Sequence, residues 1–65
     1  MKFWIYQEAD ADTGRIYFAS YSSEDRTGYL CLSTKSVEEC EERTNRKLNP
    51  EVILAKVVGD EPQQV

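Results

Sequence analysis

The sequence contains no histidine. That removes the side chain most often used as a general base near neutral pH, and the commonest nitrogen ligand for a metal. Cysteine is nearly as scarce. Cys31 and Cys40 match neither the Cys-x-x-Cys spacing of a redox pair nor that of a zinc knuckle, so both are expected to be small packed thiols, reduced inside a cell. The glycines Gly14, Gly28 and Gly59 stand alone, and no phosphate-cradling loop can be built from isolated glycines. Long apolar runs are missing too. Nothing approaches the roughly 18 residues of a membrane span, and the N-terminus lacks a basic stretch followed by an apolar one. The expected location is therefore the cytoplasm. These absences together predict that the chain is not an enzyme: no catalytic residue, cofactor or metal site is assigned.

Positive charge is the last scarcity. Eight Lys and Arg stand against twelve Asp and Glu, for a formal charge of −4. This disfavours a reader of phosphate backbones and suits a basic partner. At 65 residues the chain has room for one domain, and a domain this small buries a modest share of its surface. That domain is expected over residues 1–58, with a flexible tail over 59–65.

What the sequence does hold is a run of large residues, Phe3-Trp4-Ile5-Tyr6. A strand sends alternate side chains to opposite faces, so Phe3 and Ile5 fall on one side, Trp4 and Tyr6 on the other. The next apolar run repeats the division. Ile16 and Phe18 share one face; Tyr17, Ala19 and Tyr21 share the other. Between the runs, Glu8-Ala9-Asp10-Ala11-Asp12-Thr13-Gly14 reads as a hairpin turn with Gly14 in the left-handed conformation. Thr27-Gly28 repeats that device before a third short strand, Tyr29 to Ser33, in which alternation assigns Leu30 and Leu32 to the core and Tyr29 and Cys31 to the opposite face.

Ser36 followed by Val37-Glu38-Glu39 has the spacing of a capping box and opens a helix. Acidic residues fill its first half and Arg43, Arg46 and Lys47 its second, an order that suits the helix dipole; Glu39 with Arg43 and Glu42 with Arg46 are favourable pairs. Its apolar stripe is narrow: Val37, Cys40, Thr44 and Leu48. Asn49-Pro50 ends the helix, or opens a new one with proline in its first turn. Residues 52–58 are rich in β-branched side chains and favour a strand.

The predicted fold class is a small α+β domain of order β-β-β-α-β: a three-stranded antiparallel meander, one helix on one sheet face, and a C-terminal strand. A right-handed crossover would lay that last strand parallel beside the first, in the order 4-1-2-3. The expected core is Phe3, Ile5, Ile16, Phe18, Leu30, Leu32, Val37, Leu48 and Leu54, with some of Val52, Ile53, Val57 and Val58.

Three groups of residues invite a functional reading. Asp10-x-Asp12-x-Gly14 has the opening spacing of a calcium loop, but its fifth, sixth and twelfth positions are Gly14, Arg15 and Tyr21, so a plain turn is expected. Glu38, Glu39, Glu41 and Glu42 form an acidic row that could meet Lys or Arg on a partner, although a solvated helix face explains it as well. The third group is aromatic: Trp4, Tyr6, Tyr17, Tyr21 and Tyr29. A helix covering the Phe3 and Ile5 face leaves nothing in the chain for this second face, and such patches suit protein interfaces. The expectation is an interaction protein, an inhibitor or accessory factor of the phage or mobile-element kind acting on a basic partner, with two-fold self-association through the aromatic face. The alternative is stacking of single-stranded nucleic acid on the same rings, which the acidic charge opposes.

Overall fold

The computed structural model describes residues 1–53 and 55–58, the last four by their backbone alone. Three antiparallel strands form an open sheet and one helix packs on it, an α+β fold. The strands are β1 (Lys2–Ala9), β2 (Ile16–Tyr21) and β3 (Tyr29–Ser33); the helix is α1 (Val37–Leu48). The three strands lie in the order β3-β2-β1. Leu54, the side chains of Val57 and Val58, and the expected tail over 59–65 lie outside the described residues.

The first turn forms because Asp10 folds its carboxylate back on the chain. It accepts the N–H of Asp12 at 2.7 Å and of Thr13 at 3.0 Å, and Gly14 supplies the positive φ of 75°. Those backbone donors, Thr13 foremost, hold the Asp10 carboxyl below its ordinary value. This aspartate is occupied by the turn, as a plain hairpin requires.

Ser36 caps α1, its hydroxyl accepting the Glu39 N–H at 3.0 Å. The Glu39 carboxylate turns to Arg43 at 3.1 Å, and Glu42 meets Arg46 at 2.8 Å. At the other end Asn49 leaves the helical region with φ 139°, and its side chain accepts the Glu51 N–H at 3.0 Å. Pro50–Val52 forms a single 3-10 turn, so proline both stops one helix and opens a short one. Val52 is exposed on that turn and does not join the core.

Phe3, Ile5 and Cys40 are fully buried, with Phe18, Leu30, Val37, Leu48 and Ile53 packed around them. Beside this apolar cluster a short polar relay joins sheet to helix. The Cys31 N–H donates to Ser20 Oγ at 3.2 Å, the Ser20 and Thr44 hydroxyls are 2.5 Å apart, and Thr44 Oγ1 donates to the Cys40 carbonyl at 2.8 Å. Small side chains here let α1 approach the sheet closely, and the relay satisfies the polar atoms that this approach buries.

Two expected core residues are outside. Ile16 is 49% exposed, because it pairs with Ala9 at the outer end of the hairpin while α1 lies chiefly over β3 and β2. Leu32 is 37% exposed for a different reason. The register between β2 and β3 shifts at Ser20/Tyr21: Ser20 pairs with Cys31 and Tyr21 with Tyr29, which leaves Leu30 as an extra residue. A bulge resets the alternation of every residue after it. Leu30 therefore packs into the core, Cys31 joins the helix side with its Sγ 3.5 Å from the Arg43 carbonyl, and Leu32 turns to the open face. Simple alternation had reversed Cys31 and Leu32.

β3 is an edge strand, and α1 covers its rim. Cys31 faces β2, so the carbonyls of its neighbours point outward. Lys47 Nζ donates to the Leu30 carbonyl at 2.7 Å and Arg43 Nη1 to that of Leu32 at 3.3 Å. Among the described residues no helix is long and apolar enough to cross a membrane.

Candidate functional site

The face opposite α1 carries all five aromatic residues expected there. Trp4 stands opposite Tyr21 and Tyr6 opposite Ala19, Glu8 opposite Tyr17, and Tyr21 opposite Tyr29 across the bulge. The rings of Tyr6 and Tyr21 lie 6.1 Å apart, tilted by 50°, and those of Tyr21 and Tyr29 lie 6.2 Å apart, nearly edge to face. Such pairs tie the three strands together.

Part of this face is covered after all. The loop between β2 and β3 folds back onto Tyr6, which is only 9% exposed. The Tyr6 hydroxyl donates to the Glu24 carbonyl at 2.7 Å, and the Arg26 guanidinium sits 4.2 Å from the centre of the Tyr6 ring. Arg26 adopts a φ of 66° to reach it, and its Nη1 lies 3.9 Å from Glu8. The expectation that nothing in the chain remains to cover the aromatic face fails here, because a polar loop with a long cation can shield a ring without being apolar.

Past that loop the face is open. Ala19 is the small residue at its centre: Tyr17 and Tyr21 are two positions away on the same strand, and Leu32 is its partner on β3. A methyl group among large neighbours leaves a hollow. The concavity holds about 850 Å³, is open to solvent, and is walled by Tyr17, Tyr21, Tyr29, Leu32, Ile16 and Glu8, with Asp10 and Arg15 at the hairpin end. Ile16, Tyr29 and Leu32 are among the most exposed large apolar residues of the described chain, and all three meet here.

Glu8 organises the polar side of the hollow. Its carboxylate accepts the Tyr21 hydroxyl at 2.6 Å, and its side chain is 15% exposed. Burial, then the hydrogen bond to Glu8, pushes the Tyr21 phenol well above its ordinary value. The Tyr17 phenol rises through its interaction with Glu8 and then through burial; Tyr29 rises chiefly through burial. The linkage has a definite sign. A phenol whose folded value is raised contributes stability that is fully present below its unfolded value of 10.0 and is lost as pH climbs through the folded value. Phenolate absorbance of the native protein should therefore trail that of the same chain in urea, and the melting temperature should fall steeply above that pH. Superimposable native and unfolded titrations would contradict the Glu8 arrangement.

The acidic row lies on the opposite side of the sheet. Glu38 and Glu42 are exposed, Glu39 and Glu41 half-buried, and two of the four are paired to Arg43 and Arg46 within the helix. The structure does not bring this row together with the aromatic hollow. The thiols lie elsewhere too: Cys40 is buried on the sheet-facing side of α1, its thiol pushed up by burial, and Cys31 is half-buried beside it.

The chain matches no protein-family model, no curated protein and no solved structure.

The hollow offers ring faces, two aliphatic side chains, and one carboxylate held by a phenol. Reading the sequence placed Trp4, Tyr6, Tyr17, Ala19, Tyr21 and Tyr29 on this face but missed Glu8, Ile16, Leu32 and Arg26. Glu8 was within reach, since alternation continues Trp4 and Tyr6 to Glu8. Leu32 was not, because it follows the bulge.

Proposed function

We propose that this chain is a non-enzymatic interaction module that binds a basic protein partner through the hollow on its open sheet face, as an inhibitor or accessory factor of the phage kind would. One observation carries the reading: Ile16, Tyr29 and Leu32, three large apolar side chains left to solvent, converge on a single concavity. Exposed apolar residues scattered singly need no explanation, whereas a cluster rimmed by polar groups marks a contact surface. Tyrosine rings suit that use, since they bring large rigid area at small entropic cost. The acidic balance of −4 and the carboxylates of Glu8 and Asp10 in the wall favour a cationic partner and oppose nucleic-acid phosphate. The C-terminal strand belongs to the same proposal: the backbone of Ala55–Val58 (β4), laid parallel to β1 with Lys2 beside Ala55 and Ile5 beside Val58, would cover the edge of the strand that carries Trp4, Tyr6 and Glu8.

A photo-crosslinking side chain in place of Leu32, with Glu42 on the helix as the control position, tests the site. The expected product is a salt-sensitive adduct with one basic protein from position 32 and none from position 42. Adducts with nucleic acid alone would support the stacking alternative. A dimer of this chain would assign the hollow to a second copy, and equal labelling from both positions would remove the site.

A further inference from the structure

Arg26 shows how this face holds a cation. Its guanidinium carbon lies over the Tyr6 ring, 4.2 Å from the ring centre, and its Nη1 is 3.9 Å from the Glu8 carboxylate. The ring supplies its negative π face and the carboxylate supplies charge, a combination worth more than either alone where water is partly excluded. Glu8 is not used up by this contact. Arg26 stands at the far limit of an ion pair, and the short bond at 2.6 Å comes from a neutral donor, the Tyr21 hydroxyl. The carboxylate therefore stands at the wall of the hollow with a neutral donor close by and its cation at a distance.

Those phenols change the rings that carry them. A tyrosine hydroxyl donating to a carboxylate gains phenolate character, which makes the ring face more negative and a better seat for a cation. Tyr21 donates to Glu8 directly, and Tyr17 interacts with it across the strand pair. The other charges near the hollow stand at its margins: Arg15 and Asp10 at the hairpin end, and Lys47 beside the Tyr29 ring at 5.9 Å, held by its bond to the Leu30 carbonyl. Between them lie Tyr17, Tyr21 and the methyl floor of Ala19.

Resting on the proposed partner binding above, we infer that this hollow receives one arginine side chain of the partner, with its guanidinium against Tyr17 and Tyr21 and its charge toward Glu8. The arrangement repeats that of Arg26 on Tyr6, with Ala19 and Leu32 taking the aliphatic stem. Arginine fits better than lysine because a planar, weakly hydrated cation can lie on a ring and still direct its N–H groups at a carboxylate.

The test uses three pentapeptides, each acetylated and amidated: Leu-Arg-Ser-Arg-Leu, the same peptide with citrulline for arginine, and Leu-Ser-Ser-Ser-Leu. Binding is read from the ring-proton NMR shifts of Tyr17 and Tyr21. The arginine peptide should bind about fivefold tighter than its citrulline twin, the range of one cation–π contact with a nearby charge. Glu8→Gln, which keeps an acceptor for Tyr21, should erase that difference, whereas Tyr17→Phe should retain most of it. Equal binding of the arginine and citrulline peptides at the hollow would overturn the arginine inference while leaving the apolar docking site standing. Failure of all three peptides to shift the Tyr17 and Tyr21 rings overturns the inference as well. The crosslinking experiment decides separately whether a protein docks there.

Discussion

Phe3→Ala is expected to abolish the cooperative melting transition at room temperature. Phe3 is fully buried at the centre of the apolar cluster, between β1 and the residues of α1, and its removal leaves a cavity that the surrounding strands cannot close. Truncations of this kind cost about 3–5 kcal/mol. A domain of this size rarely has more than about 3–5 kcal/mol to lose. Phe3→Leu, which keeps most of the volume, should cost about 1–2 kcal/mol and leave a folded protein. Circular dichroism melts of the two variants distinguish them. A cooperative Phe3→Ala transition within a few degrees of the parent would mean that the core lies elsewhere.

The second large effect is expected at Gly28, and Gly14 is its control. Both have positive φ, 71° and 75°, so an added Cβ is strained at either, by about 1–2 kcal/mol. Their surroundings differ. A Cβ at Gly14 meets nothing within 4 Å, whereas one at Gly28 would lie 1.9 Å from Ser22 Oγ and 3.2 Å from Ser22 Cβ. The Ser22 N–H also donates to the Gly28 carbonyl at 2.9 Å, so the two positions cannot simply separate. Gly28→Ala should therefore cost about 1 kcal/mol more than Gly14→Ala and should loosen the loop that seats Arg26 on Tyr6. Adding Ser22→Ala to Gly28→Ala removes the colliding hydroxyl and should recover part of the excess, in a double-mutant cycle that reads the contact directly. Equal costs at the two glycines, or no recovery, would show that the loop does not close as described.

Local chemistry was legible in the sequence, and long-range geometry was not. Ser36 with Glu39, and the acidic-to-basic order along α1, act within one turn of the chain, so the helix could be read from neighbours alone. Asp10 and Gly14 fixed the first turn in the same way. The buried pair Phe3 and Ile5 followed from strand alternation, as did the shared face of Trp4, Tyr6, Tyr17 and Tyr21. Alternation failed at Leu30 because a bulge depends on how β2 and β3 meet, and nothing in Tyr29-Leu30-Cys31-Leu32 declares the extra residue. Arg26 was hidden for a related reason. Its side chain matters through Tyr6 and Glu8, many residues away, and a charged residue in a polar loop gives no sign of which ring it will cover. Ile16 misled for another reason: alternation set it beside Phe18 in the core, but it stands at the outer end of the hairpin, past the reach of the helix, and lines the hollow instead.

The two cations that α1 lays along the rim of β3 limit how copies of this chain can come together. Backbone carbonyls on a free strand edge are a template for another strand, and growth from such an edge is how sheets extend into fibres or exchange segments between molecules. Here Leu30 and Leu32 offer oxygens already bonded to Lys47 and Arg43, and an incoming strand would have to strip both and desolvate the two released charges. Close approach at this rim also sets positive charge against positive charge when the second molecule is a copy. Concentrated solutions of the protein should therefore resist amyloid-like growth from that side, and a contact between copies along this rim would have to be made by side chains rather than by strand pairing.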